Sequence, residues 1–331
     1  MRRWLRRAGA LIAVPAVAYF AFFAWRTATL HDLRSLLTRP MILAVSAAAV
    51  AYASVIPASS WAWGRLLRGA GVRLPVLELN LILGLTQIGK YLPGSVAQHL
   101  GRTAMSIERG IPATALVLTL VVEVLLTMAA ALAVGVAGLA LAARGAGSLP
   151  AAPLRSATLA GLCLLALIAG LGIALRRPGW LPGEWGPRLA AVKAGSWARS
   201  SAAAFLAYVA NFVVVGASLY GVASVAAGGA PAGLPFFVGV LALSWIAGFV
   251  APGAPAGLGV REGVMAALLS PTVDSARALE TIVAFRVATT VGDLLGFGWG
   301  AALYAASSRQ RPRGQGGGTA VPPSSRANTS S

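Results

Sequence analysis

Hydrophobic residues fall into long runs separated by short polar or basic breaks. Eight apolar segments can be marked, at about 8–25, 41–63, 76–92, 111–143, 157–175, 201–227, 233–251 and 281–305. About 20 apolar residues in a helix span a hydrocarbon core. The pattern therefore predicts an all-α, polytopic integral membrane bundle of about eight transmembrane segments. Five of the segments carry no Asp, Glu, Lys or Arg. The third, fourth and eighth do, and their charges are the candidates for function.

Parity of crossing adds two stretches that return to the face they enter from, the first either a hairpin of two short helices or two crossings. Basic residues cluster at segment ends: Arg2, Arg3, Arg6 and Arg7; Arg65, Arg68 and Arg73; Arg176 and Arg177; Arg309, Arg311 and Arg313. If these lie on the cytoplasmic side, the first segment goes out and the second returns. The stretch 76–109 must then enter and leave on one face, turning at Lys90-Tyr91-Leu92-Pro93-Gly94. By the same count 233–272 enters and leaves from the other face, turning at Ala251-Pro252-Gly253-Ala254-Pro255-Ala256-Gly257. Proline and glycine at both places break helices. PGSVAQHLGR, from Pro93 to Arg102, and PGAPAGLGVR, from Pro252 to Arg261, share Pro-Gly and an arginine at one offset. Two hairpins entering from opposite faces point to an inverted repeat, with halves 1–155 and 156–306. Residues 307–331, rich in Gly, Ser, Pro and Arg, form an expected disordered cytoplasmic tail.

Composition agrees. The chain has 331 residues, 57% hydrophobic and 11% charged, and a mean hydropathy of +0.76. So few charges could not cover a soluble surface. The basic start MRRWLRR precedes an apolar run without a small-residue cleavage site, and reads as a retained first span. The loop 176–199 is basic and carries Trp180, Trp185 and Trp197, as expected at a cytoplasmic interface. The net charge of +18 reads as positive-inside bias, since no basic patch with interleaved aromatics would serve nucleic acid. Cys163 stands alone, and His31 and His99 lie far apart, so no disulfide, metal site or cofactor is expected.

An ionisable side chain at membrane depth marks a functional position by default. The first hairpin supplies Lys90, Tyr91, Gln98 and Arg102, with His99 beside them. The fourth segment supplies Glu123. The second hairpin supplies Arg261 and Glu262, adjacent and so about 100° apart on a helix. The last segment supplies Arg286 and Asp293, seven residues and two turns apart on one face. These nine residues are the expected substrate site. Pro93, Gly94, Pro252, Gly253, Pro255, Gly257 and Gly259 are the expected structural turn residues. A plainer reading has the carboxylates lock helices together by neutralising the arginines, and has Lys90 snorkel to the interface.

At these residues the chain resembles the lysylphosphatidylglycerol synthase transmembrane region family. Gly89-Lys90-Tyr91-Leu92-Pro93-Gly94, with Gly101-Arg102 and Arg109-Gly110-Ile111, looks like its first signature. Gly257-Leu258-Gly259-Val260-Arg261-Glu262-Gly263 looks like the second, and Glu123 sits where the family carries an acidic residue. Ala254-Pro255-Ala256 departs from a more glycine-rich turn, which questions close backbone approach there. No soluble aminoacyl-transferase domain follows the last span, so synthesis of lysyl lipid is not expected. The resemblance implies a non-enzymatic plasma-membrane protein, a flippase moving a phospholipid or lipid-linked headgroup between leaflets. Arg102 and Arg261 would receive the phosphate, and Glu123 and Asp293 would balance them when the site is empty. The alternatives are a non-transporting partner or anchor of a lipid- or glycan-modifying enzyme, a polytopic membrane enzyme, or a small-solute transporter; besides membrane lipids, the expected protein partner is such an enzyme or a second copy of this chain. No motif for a nucleotide or a catalytic metal favours the enzyme.

Overall fold

The computed structural model describes residues 37–91, 96–146, 194–229, 232–250 and 255–309. The expected spans 8–25 and 157–175, the turns Pro93-Gly94 and Pro252-Gly253, most of the basic loop, the boundary between the halves and the tail lie outside the described residues. What is described is helical, with no strand among the described residues. The all-α membrane bundle read from the hydrophobic pattern is what the chain forms.

The chain enters at α1 (Arg39–Ala53), which starts on Pro40 in its first turn, where proline's missing N–H costs nothing. It runs on almost directly into α2 (Val55–Gly69). Pro57 has no N–H to give the Ala53 carbonyl, and the Ser54 hydroxyl donates to the Ala51 carbonyl at 2.7 Å beside the break. Gly71, at φ +83°, ends the helix; Val72 N–H donates back to Leu67 O at 2.8 Å, a glycine C-terminal motif. α3 (Val76–Thr86) and a 3₁₀ turn, Gln87–Tyr91, form the first arm of a hairpin, and α4 (Val96–Ile107) the second. α5 (Ala113–Ala146) follows Pro112.

The second part repeats this order. α6 (Ala194–Ala226) is long; α7 (Leu234–Val250), a 3₁₀ turn Pro255–Gly257 and α8 (Val260–Leu269) make the second hairpin; α9 (Ser275–Arg309) closes the series. The Asp274 carboxylate accepts from Ala276 N–H at 3.2 Å and so caps the start of α9. Helices over Arg39–Gly69, Ala113–Arg144 and Ser196–Ala226 are long and apolar enough to cross a membrane. α9, at 35 residues, has the length, about 1.5 Å per residue, but carries four charges inside it. Leu43, Val50, Leu206, Leu294 and Trp299 are large, apolar and exposed, as lipid-facing positions should be.

Several boundaries move for a physical reason. Trp197 and Arg199, assigned to the loop 176–199, are helical, because Trp197 packs on Gly69 of α2 and so carries α6 back to Ala194. Lys90 and Tyr91, placed in the first turn, close the 3₁₀ segment instead. Pro255, Ala256 and Gly257 likewise form a 3₁₀ turn. The last helix begins six residues before the expected 281, at the Asp274 cap.

The two runs of elements pack as counterparts. α3 lies on α9 as α7 lies on α5; α1 meets α9 as α6 meets α5; α2 and α6 lie against each other. That last pair is antiparallel. Gly69 sits against Trp197 and Ser200, Asn211 donates to Ser59 at 3.2 Å, and Met41 packs with Val222. The runs therefore traverse the bundle in opposite senses, as an inverted repeat requires. The hairpins share one close backbone crossing. A Cβ on Gly89 would lie 2.6 Å from Gln98 N, and one on Gly257 would lie 2.8 Å from Gly248 Cα. Gly89 and Gly248, and Gln98 and Gly257, are each 159 residues apart, the interval between Arg102 and Arg261.

Small residues set these approaches, as is usual between membrane helices. A Cβ on Gly300 of α9 would meet Leu85 N of α3 at 2.7 Å, whereas one on Gly298 would meet nothing within 4 Å. Gly300→Leu should therefore destabilise the bundle by about 1–3 kcal/mol through overpacking, and Gly298→Leu should not. Thermal unfolding of the two purified variants in detergent checks this; equal midpoints would refute the close α3–α9 contact.

Candidate functional site

A cavity of about 490 Å³ lies where the two hairpins meet the long helices, within the usual size of a ligand pocket. Eight of the nine expected site residues line it: Lys90, Tyr91, Gln98, Arg102, Glu123, Arg261, Arg286 and Asp293. Glu262 does not; it stands behind Arg286. The two 3₁₀ turns touch each other at the cavity, so chain breaks from both hairpins converge there, where non-helical backbone is tolerated because it faces a cavity.

Three ion pairs tie hairpin residues to long helices. Asp293, 2% exposed, accepts from Lys90 Nζ at 2.6 Å and Gln87 Nε2 at 2.9 Å, and from the Tyr91 hydroxyl. Lys90 also reaches the Tyr52 hydroxyl at 3.2 Å. The lysine is thus held inward and does not snorkel. Arg102 grips Glu123 with both terminal nitrogens, Nη1 to Oε1 at 3.0 Å and Nη2 to Oε2, the fork geometry that suits guanidinium and carboxylate. Its guanidinium carbon lies 3.8 Å from the centroid of the Trp63 ring, a cation–π contact. Trp63 itself is fully buried and donates to Thr119 at 3.2 Å. The third pair is Arg286 Nη1 with Glu262 Oε1 at 3.2 Å. The other Glu262 oxygen accepts from Gly259 N–H at 2.7 Å, which fixes the start of α8.

The second and third of these pairs are mirror images in charge. In the first hairpin an arginine on the second arm meets a glutamate on the next long helix; in the second hairpin a glutamate meets an arginine. Arg261, the counterpart of Arg102, is consequently left over. It is 8% exposed, it lines the cavity, and it forms no hydrogen bond or ion pair among the described residues. The expected equivalence of the two arginines therefore fails in this state: Arg102 is committed and Arg261 is not. The backbone beneath Arg261 is close-packed despite Ala254-Pro255-Ala256. Ala256 takes φ +51° and Gly257 φ +70°, so the approach to Gly248 is made at Gly257, where a side chain would not fit.

Residues outside the expected set complete the lining. Tyr208, Asn211, Phe212 and Val215 of α6, and Tyr52, Val55 and Ser59 of α1 and α2, all face it. Their signal was present as spacing. Tyr208, Asn211, Phe212 and Val215 fall at i, i+3, i+4 and i+7, one helical face, with an asparagine inside an otherwise apolar run. Gln87 and Trp245 line the cavity too, and no pattern in the sequence marks them.

The family model described as "Lysylphosphatidylglycerol synthase TM region" matches residues 8–296. No curated protein matches the chain.

Removing one partner of a buried pair leaves an uncompensated charge, at about 3–5 kcal/mol. Asp293→Ala should lower the thermal midpoint of the detergent-purified protein clearly. The double variant Lys90→Met/Asp293→Leu should recover most of it, since an apolar pair of similar volume replaces the ions. A single variant as stable as wild type would mean that Asp293 does not anchor the first hairpin.

Proposed function

The chain belongs to the lysylphosphatidylglycerol synthase TM region family, and on that premise we propose that it carries a phospholipid or lipid-linked headgroup between leaflets without altering it chemically. The family and the apolar helices make it a membrane protein with a lipid-related role. The positive-inside distribution supports cytoplasmic termini, and the plasma membrane is the proposed location. Membrane lipids are its proposed partners.

The observation that carries the reading is Arg261. A buried guanidinium facing a cavity, with no carboxylate committed to it among the described residues, is a ready site for an anion. Guanidinium matches phosphate with two parallel hydrogen bonds. The headgroup phosphate would bind Arg261 at depth while acyl chains stay against apolar helix faces. Phe249 and Val250, exposed residues on the cavity rim at the end of α7, give those chains an apolar edge to cross. Arg102 is the second guanidinium, one per hairpin. Glu123 holds it while the phosphate is absent, and a phosphate arriving there competes with the carboxylate for the same fork. Because the halves run in opposite senses, the same cavity is reached from either face by moving one hairpin against the other.

Translocation of headgroup-labelled lipid in proteoliposomes tests this. Arg261→Gln should reduce the rate about tenfold or more, the loss of about one charge-assisted hydrogen bond's worth of binding, roughly 1.5–3 kcal/mol. Arg261→Lys should retain part of it, since the charge remains without the fork. Arg102→Ala should also slow transport. Wild-type rates for both Arg261→Gln and Arg102→Ala would remove the arginines from the mechanism.

A further inference from the structure

From the charge balance of the cavity and one orphaned hydroxyl, we propose that the site is built for a net-anionic headgroup bearing uncharged hydroxyls, and that it rejects an aminoacylated, cationic one. The inference rests on the translocation reading above and deepens it.

Consider charge first. Lys90, Arg102, Arg261 and Arg286 supply four positive groups at the cavity. Among the described residues the carboxylates that meet them are Asp293, Glu123 and Glu262, and each is already in an ion pair, with Lys90, Arg102 and Arg286 respectively. One positive charge, on Arg261, is in excess. A phosphodiester with a neutral headgroup carries one negative charge and cancels it. A lysylated headgroup adds two ammonium groups and turns the lipid cationic. Among the described residues lining the cavity it would find no uncommitted carboxylate. Freeing one would strand a buried arginine or lysine, which is strongly unfavourable. His99, also on the lining, adds no negative charge.

The second observation concerns neutral hydrogen bonding. Tyr208 is 3% exposed and lines the cavity, and its hydroxyl has no hydrogen-bond partner. An unmet buried hydroxyl is costly and calls for an explanation. Around the same cavity stand Asn211, which donates to the Ser59 hydroxyl at 3.2 Å, and Thr127, whose hydroxyl donates to the Glu123 carbonyl at 2.8 Å. Both hydroxyl oxygens keep capacity to accept. These are neutral donors and acceptors on α2, α5 and α6, whereas Arg261 is on α8. In this proposal the phosphate lies on Arg261 and the headgroup hydroxyls face α2, α5 and α6. A glycerol or sugar hydroxyl that accepts from Tyr208 and donates to Ser59 or Thr127 would satisfy the orphan.

The full chain in proteoliposomes can be offered three labelled lipids: phosphatidylglycerol, phosphatidylmethanol (the same charge without headgroup hydroxyls) and lysylphosphatidylglycerol. Phosphatidylglycerol should move at least tenfold faster than lysylphosphatidylglycerol. Tyr208→Phe, which removes only the hydroxyl, should slow phosphatidylglycerol several-fold and leave phosphatidylmethanol unchanged. Equal rates for the lysylated and unmodified lipids would overturn the charge argument. An equal effect of Tyr208→Phe on both anionic lipids would overturn the hydroxyl site. If none of the lipids moves, the translocation reading fails. Protection of the purified protein from thermal unfolding by the same lipids in detergent then still reports the cavity's preference, and equal protection by the lysylated lipid would overturn the inference separately.

Discussion

A membrane interior has no water to complete a broken helix or to solvate a charge. Everything polar at depth in this chain answers to that constraint. Each hairpin interrupts its backbone where the two 3₁₀ turns meet, and each brings charge with it. The charges are met by side chains on the long helices: Asp293 and Arg286 from α9, Glu123 from α5. Ion pairs and chain breaks are thus one feature. They seat the hairpins, and the room left between them is the cavity. Arg261 and the Tyr208 hydroxyl are positions where the described residues leave the constraint unmet, and a buried cation unmet by protein is a place for a ligand.

Much of this is legible in the sequence. Depth was legible because a charge inside an apolar run is conspicuous: Lys90, Arg102, Glu123, Arg261, Arg286 and Asp293 all reach one cavity. The shared face of Arg286 and Asp293 followed from a seven-residue spacing. Pairing was not legible. Glu123 had three arginines to choose from, and only the packing of α4 beside α2 and α5, with Trp63 under the Arg102 guanidinium, settles which one it takes. Glu262 was misplaced for a related reason. Adjacent helical residues diverge, and nothing in the sequence says which of Arg261 and Glu262 looks inward. Tyr208 and Asn211 escaped because an isolated polar residue in an apolar helix resembles ordinary core until its neighbours on other helices are known.

The correspondence between the hairpins was faint in sequence and is closer in the backbone. Few residues coincide between the hairpins, yet Gly89 against Gln98 and Gly248 against Gly257 repeat one backbone crossing at one interval. Backbone approach constrains a position more tightly than side-chain identity does, since at Gly89 and Gly257 no other residue leaves room. The departure at Ala254-Pro255-Ala256 is absorbed by a left-handed Ala256, a conformation that disfavours an L-residue, and the crossing is kept.

The reversed polarity of the arginine–glutamate pairs has a consequence for ancestry and for design. The halves are alike in backbone and unlike in charge, so neither can stand in for the other. Two copies of the earlier half would bury two lysines at the position of Lys90 with no aspartate opposite, because that carboxylate belongs to the later half. A symmetric duplicate of this molecule would need its charges rewritten before it could close, and the present chain is committed to remaining a heterologous pair on a single polypeptide.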